Sequence, residues 1–189
     1  MVGDRHGCSG GIILTCIVAL EHDGKVYLGG DSAAVSDWNI EVCAQPKVFR
    51  VGDFIMGYTS SFRMGQLLQY ELVIPENTED SDIRYLVTRF IPAVRDCLKN
   101  GGYTKIDNNR EEAGSFLIGY RGKAYKISSD FQVTRMSAGF TAVGCGQDFA
   151  IGAMEILDKT NPEEAVTLSL KAAGKFSNGV CPPYTVISL

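Results

Sequence analysis

Apolar and polar positions follow a β period at the start of the chain and a period of about 3.6 residues further on. Thr15-Cys16-Ile17-Val18-Ala19-Leu20 and Lys25-Val26-Tyr27-Leu28 are β-rich runs joined through His22-Asp23-Gly24. An Asp-Gly pair between such runs is a strong hairpin signal. Gly29-Gly30-Asp31-Ser32 interrupts the run before a polar stretch around Ser36-Asp37-Trp38-Asn39. Lys47-Val48-Phe49-Arg50-Val51 and Phe54-Ile55-Met56, joined through Gly52-Asp53, predict a second hairpin, so the first quarter of the chain reads as a sheet.

The helical period then takes over. Phe62, Met64, Leu67, Leu68 and Leu72 fit one helix, and Ile83, Leu86, Val87, Phe90, Val94 and Leu98 fit another, linked by Pro75 to Asp80. Pro92 is expected to kink or split the second helix, and Gly101-Gly102 to end it. Strands return at Ser115 to Tyr120 and Lys123 to Ile127 around Arg121-Gly122. After Thr141-Ala142-Val143, the turn Gly144-Cys145-Gly146 opens a helix carrying Ala150, Ala153, Met154 and Leu157. Asn161-Pro162-Glu163-Glu164 starts the next one with an N-cap, a proline at the first helical position and acidic first-turn residues. Its apolar face is Ala165, Leu168, Ala172 and Phe176, and Tyr184-Thr185-Val186-Ile187 is a last strand. Sheet, helix pair, sheet, helix pair and strand is the order of an α+β protein with two antiparallel sheets face to face and helices outside, a four-layer αββα sandwich.

Composition narrows the function classes. A chain of 189 residues suits one domain. A formal charge of -4 with no basic run longer than a pair leaves no electrostatic footprint for nucleic acid or an anionic membrane. The short apolar stretch Gly10 to Leu14 lacks the n-region and cleavage site of a secretory signal. Six cysteines (Cys8, Cys16, Cys43, Cys97, Cys145 and Cys181) without a C-x-x-C pair read as reduced thiols of a cytoplasmic protein. His6 and His22 share no spacing with them, so no metal site is expected; they read as a tail and a turn residue.

Candidate chemistry lies in a spacing: Thr15 opens the first strand, Asp31 follows sixteen positions on, and Lys47 another sixteen. A threonine hydroxyl is a poor nucleophile at neutral pH and needs a base within reach and a nearby cation. If cleavage before Thr15 frees its α-amine, that amine, with an ordinary pKa of about 7.7–8.0, is a base matched to neutral pH. Lys47 would supply the cation and Asp31 would orient Lys47. In the structural alternative, Thr15 is a β-branched strand residue, Asp31 a turn former and Lys47 an edge-strand charge. Cys8 after Gly7 is a rival N-terminal nucleophile, but Asp31 and Lys47 do not stand at the matching offsets from it. Gly144-x-Gly146 lacks the third glycine of a dinucleotide loop because position 149 is Phe.

The run Thr15-Cys16-Ile17-Val18, Asp23-Gly24, Gly29-Gly30-Asp31, then Lys47-Val48 and the apolar strand into Met56-Gly57, resembles the catalytic β-subunits of the proteasome family, and especially the bacterial HslV peptidase. The similarity spans essentially everything after Leu14. It implies an N-terminal-nucleophile (Ntn) hydrolase: an extension or propeptide over 1–14, one domain over 15–189, Thr15 as nucleophile, and Asp31 and Lys47 as the activating pair. It also implies the Gly57 amide as oxyanion donor and Cys145 and Ser177 as supporting residues. No cofactor is implied. The implied partners are a peptide or unfolded-protein substrate, a homo-oligomeric ring and an ATPase unfoldase. The sequence departs from the family at three places. Leu14 stands where the family has Gly before the nucleophile, and Cys145 replaces the serine of the Gly-Ser-Gly turn. The acidic residue that supports that serine is replaced in Phe176-Ser177-Asn178-Gly179. These departures carry the alternative reading of a proteolytically inactive subunit with a structural or interaction role.

Overall fold

Strand β1 (Cys16–His22) is buried on both faces, and its partners differ from face to face. Cys16, Val18 and Leu20 pack with Ala150, Met154, Val166 and Leu170, whereas Ile17 and Ala19 pack with Val26, Leu28, Ile55 and Leu117. A strand covered on both sides reads as a continuous apolar run, which is what its sequence shows. The computed structural model describes residues 14–36, 39–107 and 110–189. His6, Cys8, Asp37 and Trp38 lie outside the described residues, as does the expected extension except for Leu14.

The two early hairpins do not share a sheet, contrary to the expectation from sequence. β1 pairs with β2 (Lys25–Gly30) and with β12 (Phe140–Gly144), and β13 (Thr185–Ser188) completes a four-stranded antiparallel sheet in the order β12-β1-β2-β13. β5 (Val48–Val51) and β6 (Phe54–Tyr58) join β9 (Phe116–Tyr120), β10 (Lys123–Ile127) and β11 (Val133–Thr134) in a five-stranded sheet, order β11-β10-β9-β6-β5. Gly29 and Gly30 continue β2 rather than ending it, pairing with Val18 and Ile17, and glycine is needed at 29 because the Val166 side chain lies where a side chain there would be.

Two short hairpins are not signalled by the hydrophobic period: β3 (Ala33–Ser36) with β4 (Asn39–Val42), and β7 (Lys105–Asp107) with β8 (Arg110–Glu112). β4 alternates Asn39-Ile40-Glu41-Val42 but is only four residues long and exposed along its length, so its alternation marks no buried face.

Helices close the outer faces. Against the five-stranded sheet lie α1 (Phe62–Tyr70) and a continuous helical stretch made of α2 (Asp82–Tyr85), a π turn (Leu86–Phe90) and α3 (Ile91–Asn100). Met64, Leu67, Phe90 and Val94 meet Phe54, Met56, Phe116 and Ile118 there. Pro92 neither splits nor breaks this stretch. The Ile91 amide donates to the Leu86 carbonyl, one residue further back than in an α-helix, and the wider turn admits a residue that has no N–H. α4 (Gln147–Ile156) and α5 (Pro162–Phe176) cover the four-stranded sheet, giving the αββα order.

Glu21 ties the sheets together. Its Oε1 accepts from the Ala124 amide of β10 and from Arg135 Nε, both at 2.9 Å, and its Oε2 accepts from Arg135 Nη2 at 2.6 Å. Burial pushes this carboxyl up, but Arg135 and the Ala124 amide outweigh it, and the net shift is below the ordinary glutamate value. A depressed folded-state value means stability that is present above the ordinary value and lost as pH falls through the depressed one. Glu21→Gln is expected to cost about 1 kcal/mol at neutral pH, since Arg135 is half exposed. Urea melts at about pH 7 and about pH 3 should show that difference shrinking in acid; an equal difference at both would rule the clamp out.

Candidate active site

Antiparallel pairing brings five chain positions to one rim between the sheets. Cys16 opposes Gly144 and Ile17 opposes Gly30, so the start of β1 meets the ends of β12 and β2. Val48 opposes Gly57, so the start of β5 meets the end of β6. Thr15 precedes β1, and strand alternation turns its side chain to the inter-sheet face with Ile17 and Ala19.

Thr15, Asp31 and Lys47, at 0%, 1% and 1% exposure, are the polar centre of this rim. Lys47 Nζ donates to Thr15 Oγ1 at 2.6 Å, to the Ala33 carbonyl at 2.6 Å and to both Asp31 carboxylate oxygens at 3.1 Å. Asp31 also accepts from the amides of Cys16 at 3.0 Å and Ala33 at 2.7 Å, so its carboxylate fixes the backbone on either side of the site. Burial pushes the Asp31 carboxyl up against the pull of Lys47 and the two amides. Burial likewise pulls the Lys47 ammonium down, against the attraction of Asp31. A lysine that gives up its proton more readily than usual, in a short hydrogen bond to a hydroxyl, can exchange a proton with that hydroxyl.

The rest of the rim is built from the turn after β12. Gly144 has φ +100, and the Thr15 carbonyl occupies the place a side chain would take, so only glycine fits. Cys145 Sγ lies 3.5 Å from the Thr15 carbonyl oxygen, to which it donates, and 3.1 Å from Ser177 Oγ. Cys145 and Ser177 therefore stand beside the nucleophile candidate, without a carboxylate in that chain of contacts.

Gly57 stands differently from its expected role. The Thr59 amide donates to the Ser115 carbonyl at 3.3 Å, and Gly57 opposes Leu117 two residues along the same ladder. Antiparallel alternation then turns the Gly57 amide to Leu117, within the sheet. Its glycine serves packing instead, because a side chain there would run into Ile17, Val48 and Leu28. Sequence reasoning passed over Ser60, whose φ of +71 is left-handed for a non-glycine residue at the β6–α1 turn. No glycine or asparagine marks this left-handed position in the sequence. The Thr59 methyl reaches the neighbourhood of Gly144, 3.3 Å from where a Cβ would stand, which brings this turn to the Thr15 rim.

Among the described residues, no group of three or more His, Cys, Asp or Glu side chains could hold a metal ion, and no helix is long and apolar enough to cross a membrane. His22 ends β1 beside Asp23, 3.3 Å away.

No protein-family model and no curated protein matches this chain. Solved structures match it by fold. BPH of Thiobacillus denitrificans superposes with a TM-score of 0.77 at 21% identity, covering 93% of this chain and 97% of its own. The same protein in complex with epoxomicin gives 0.74 at 21% identity, covering 93% and 98%. HslV from Trypanosoma brucei gives 0.67 at 19% identity, covering 92% and 98%. The chain has the α+β, αββα fold of the Ntn-hydrolase type that HslV-like structures share.

Proposed function

We propose that the protein is a threonine peptidase of the proteasome/HslV type whose nucleophile, Thr15, is exposed by cleavage of the Leu14-Thr15 bond. The observation that carries this reading is the buried contact of Lys47 Nζ with Thr15 Oγ1 at 2.6 Å, made while Lys47 is ion-paired with Asp31. In the processed form the Thr15 α-amine takes the hydroxyl proton, directly or through Lys47, and Oγ1 adds to the substrate peptide carbonyl. The C–N bond breaks, the leaving amine carries off a proton, and water hydrolyses the resulting ester. The oxyanion needs an amide at the rim. With the Gly57 amide turned into the sheet, that role falls to Ser60, which lies past the last bond on the β5 side, from the Tyr58 amide to the Lys47 carbonyl. Cys145 holds the Thr15 carbonyl, with a thiol in place of a better donor, and Ser177 contacts that thiol.

The test is hydrolysis of a fluorogenic peptide by purified protein. Epoxomicin, which a fold neighbour binds, is the matching probe: a peptide epoxyketone offers electrophilic carbons to a hydroxyl and an amine together. An adduct on protein beginning at Thr15, and none on the Thr15→Ala variant, supports the reading. A second reading, an inactive subunit of the same fold, is favoured by Leu14 before the nucleophile and by the absence of a carboxylate beside Cys145 and Ser177 in the contacts described. Wild type that stays full length and inactive would select it.

The partners follow the same reading: a peptide or unfolded protein as substrate, a homo-oligomeric ring, an ATPase unfoldase feeding it, and a cytoplasmic setting. The stretch Ile83 to Leu98 has more apolar positions than its inward face uses, and Ile83 and Val87 are left 46% and 50% exposed. A head-to-tail interface that closes would cover them. Light scattering is expected to give the mass of a closed ring, and a monomer mass across a wide concentration range would sink this assembly.

A further inference from the structure

Of the three residues around the proposed cleavage point, Thr15 and Cys16 are held by polar contacts. Lys47 holds Thr15 Oγ1, Cys145 Sγ holds the Thr15 carbonyl, and Asp31 holds the Cys16 amide. Leu14, which carries the carbonyl to be attacked, is half-buried and is held by shape. The shape is supplied by Gly179. A Cβ built on Gly179 would lie inside the Leu14 side chain at its Cβ, 3.0 Å from Leu14 Cα and 2.9 Å from Cys145 Sγ. The two Leu14 atoms are at or next to the backbone and cannot swing aside as the end of a flexible side chain can; Cys145 Sγ is the end of its side chain and the lesser obstacle. The Gly179 backbone is outside the left-handed region, so conformation alone does not call for glycine there.

We infer that Gly179 is a positioning residue for cleavage of the Leu14-Thr15 bond: its missing side chain is the seat that sets Leu14 against the nucleophile. This rests on the peptidase reading above. In the step concerned, Thr15 Oγ1 adds to the Leu14 carbonyl carbon and its proton passes to a base. The C–N bond to Thr15 breaks, and the nitrogen leaves as a protonated α-amine. The Leu14 ester is then hydrolysed by water to a carboxylate, restoring the hydroxyl. A displacement of about 1 Å between reacting groups costs on the order of 10²-fold in rate. A methyl group at Gly179 must move Leu14 by about that much.

Two measurements test the seat. Intact mass over time should show Gly179→Ala losing its leading residues at least about tenfold more slowly than wild type. Adding Leu14→Gly should bring the double variant close to the rate of Leu14→Gly alone, because the Leu14 Cβ, the atom that overlaps most, is gone. Cleavage of Gly179→Ala at the wild-type rate, or a defect that Leu14→Gly leaves in place, would overturn the inference. The second measurement is independent of catalysis and uses the Thr15→Ala background, in which no nucleophile is present. There Gly179→Ala should lower the melting temperature clearly more when Leu14 is intact than when Leu14→Gly is also present, because only the Leu14 Cβ overlap is removed and the Cys145 Sγ contact remains. Equal lowering in both backgrounds, or none in either, would refute the seat. Wild type that never cleaves would remove the peptidase reading, and the melting series alone would then decide whether Gly179 seats Leu14.

Discussion

Lys47→Ala is expected to cut turnover by orders of magnitude and to cost the fold much of its stability. The ammonium is fully buried and contacts the Thr15 hydroxyl, the Asp31 carboxylate and the Ala33 carbonyl. Removing it takes away the proton-exchange partner of Thr15, for which a loss of about 10²–10⁴-fold is typical. It also leaves the Asp31 charge buried without its cation, which costs about 3–5 kcal/mol. Self-cleavage should fail with turnover, so the variant should keep its leading residues. Loss of activity through unfolding is separated from loss of chemistry by the double variant Asp31→Asn/Lys47→Met. That variant has no uncompensated charge and should recover part of the stability but none of the activity. Urea melts and fluorogenic peptide hydrolysis read the two effects. Unchanged turnover in folded Lys47→Ala protein, free of contaminating protease, would show that the site is misassigned.

The part of this site that the sequence made legible is local chemistry. Asp23-Gly24 and Arg121-Gly122 form turns whose two central residues all have positive φ, as tight hairpins require, and both hairpins stand where their turn residues placed them. The spacing of Thr15, Asp31 and Lys47 was visible too, but only as spacing. Their contact depends on β1 and β5 belonging to different sheets that face each other, and a hairpin signal names a strand's neighbour without naming its sheet. The Gly57 assignment failed for a related reason. Which way a strand amide points is decided by register with β9, a partner some sixty residues away in the chain. Ser60 was invisible because its left-handed backbone is imposed by the turn between β6 and α1, not by a residue that prefers it. Leu14 was noticed as a departure, while the space that Gly179 leaves for it exists only in the folded chain.

The active form is expected to begin at Thr15, and the Thr15→Ala variant to keep all fourteen leading residues. An intact Leu14-Thr15 peptide bond removes the base, because an amide nitrogen has no basic lone pair with which to take the hydroxyl proton. In the uncleaved chain Thr15 is fully buried, so the hydroxyl already sits against Lys47 while the nitrogen remains an amide. The arrangement favours one reaction first, attack on the chain's own preceding carbonyl, and multiple turnover only after it. Leucine at position 14 allows the backbone less freedom than glycine for the strained geometry of that attack, so Leu14→Gly is expected to speed cleavage. Intact mass on wild type, Thr15→Ala and Leu14→Gly, taken alongside peptide hydrolysis, reads this directly. Peptide hydrolysis appearing in step with loss of the leading residues supports the N-terminal threonine. Hydrolysis by protein that is demonstrably full length would overturn it, because the hydroxyl would then be drawing on a base other than the Thr15 amine.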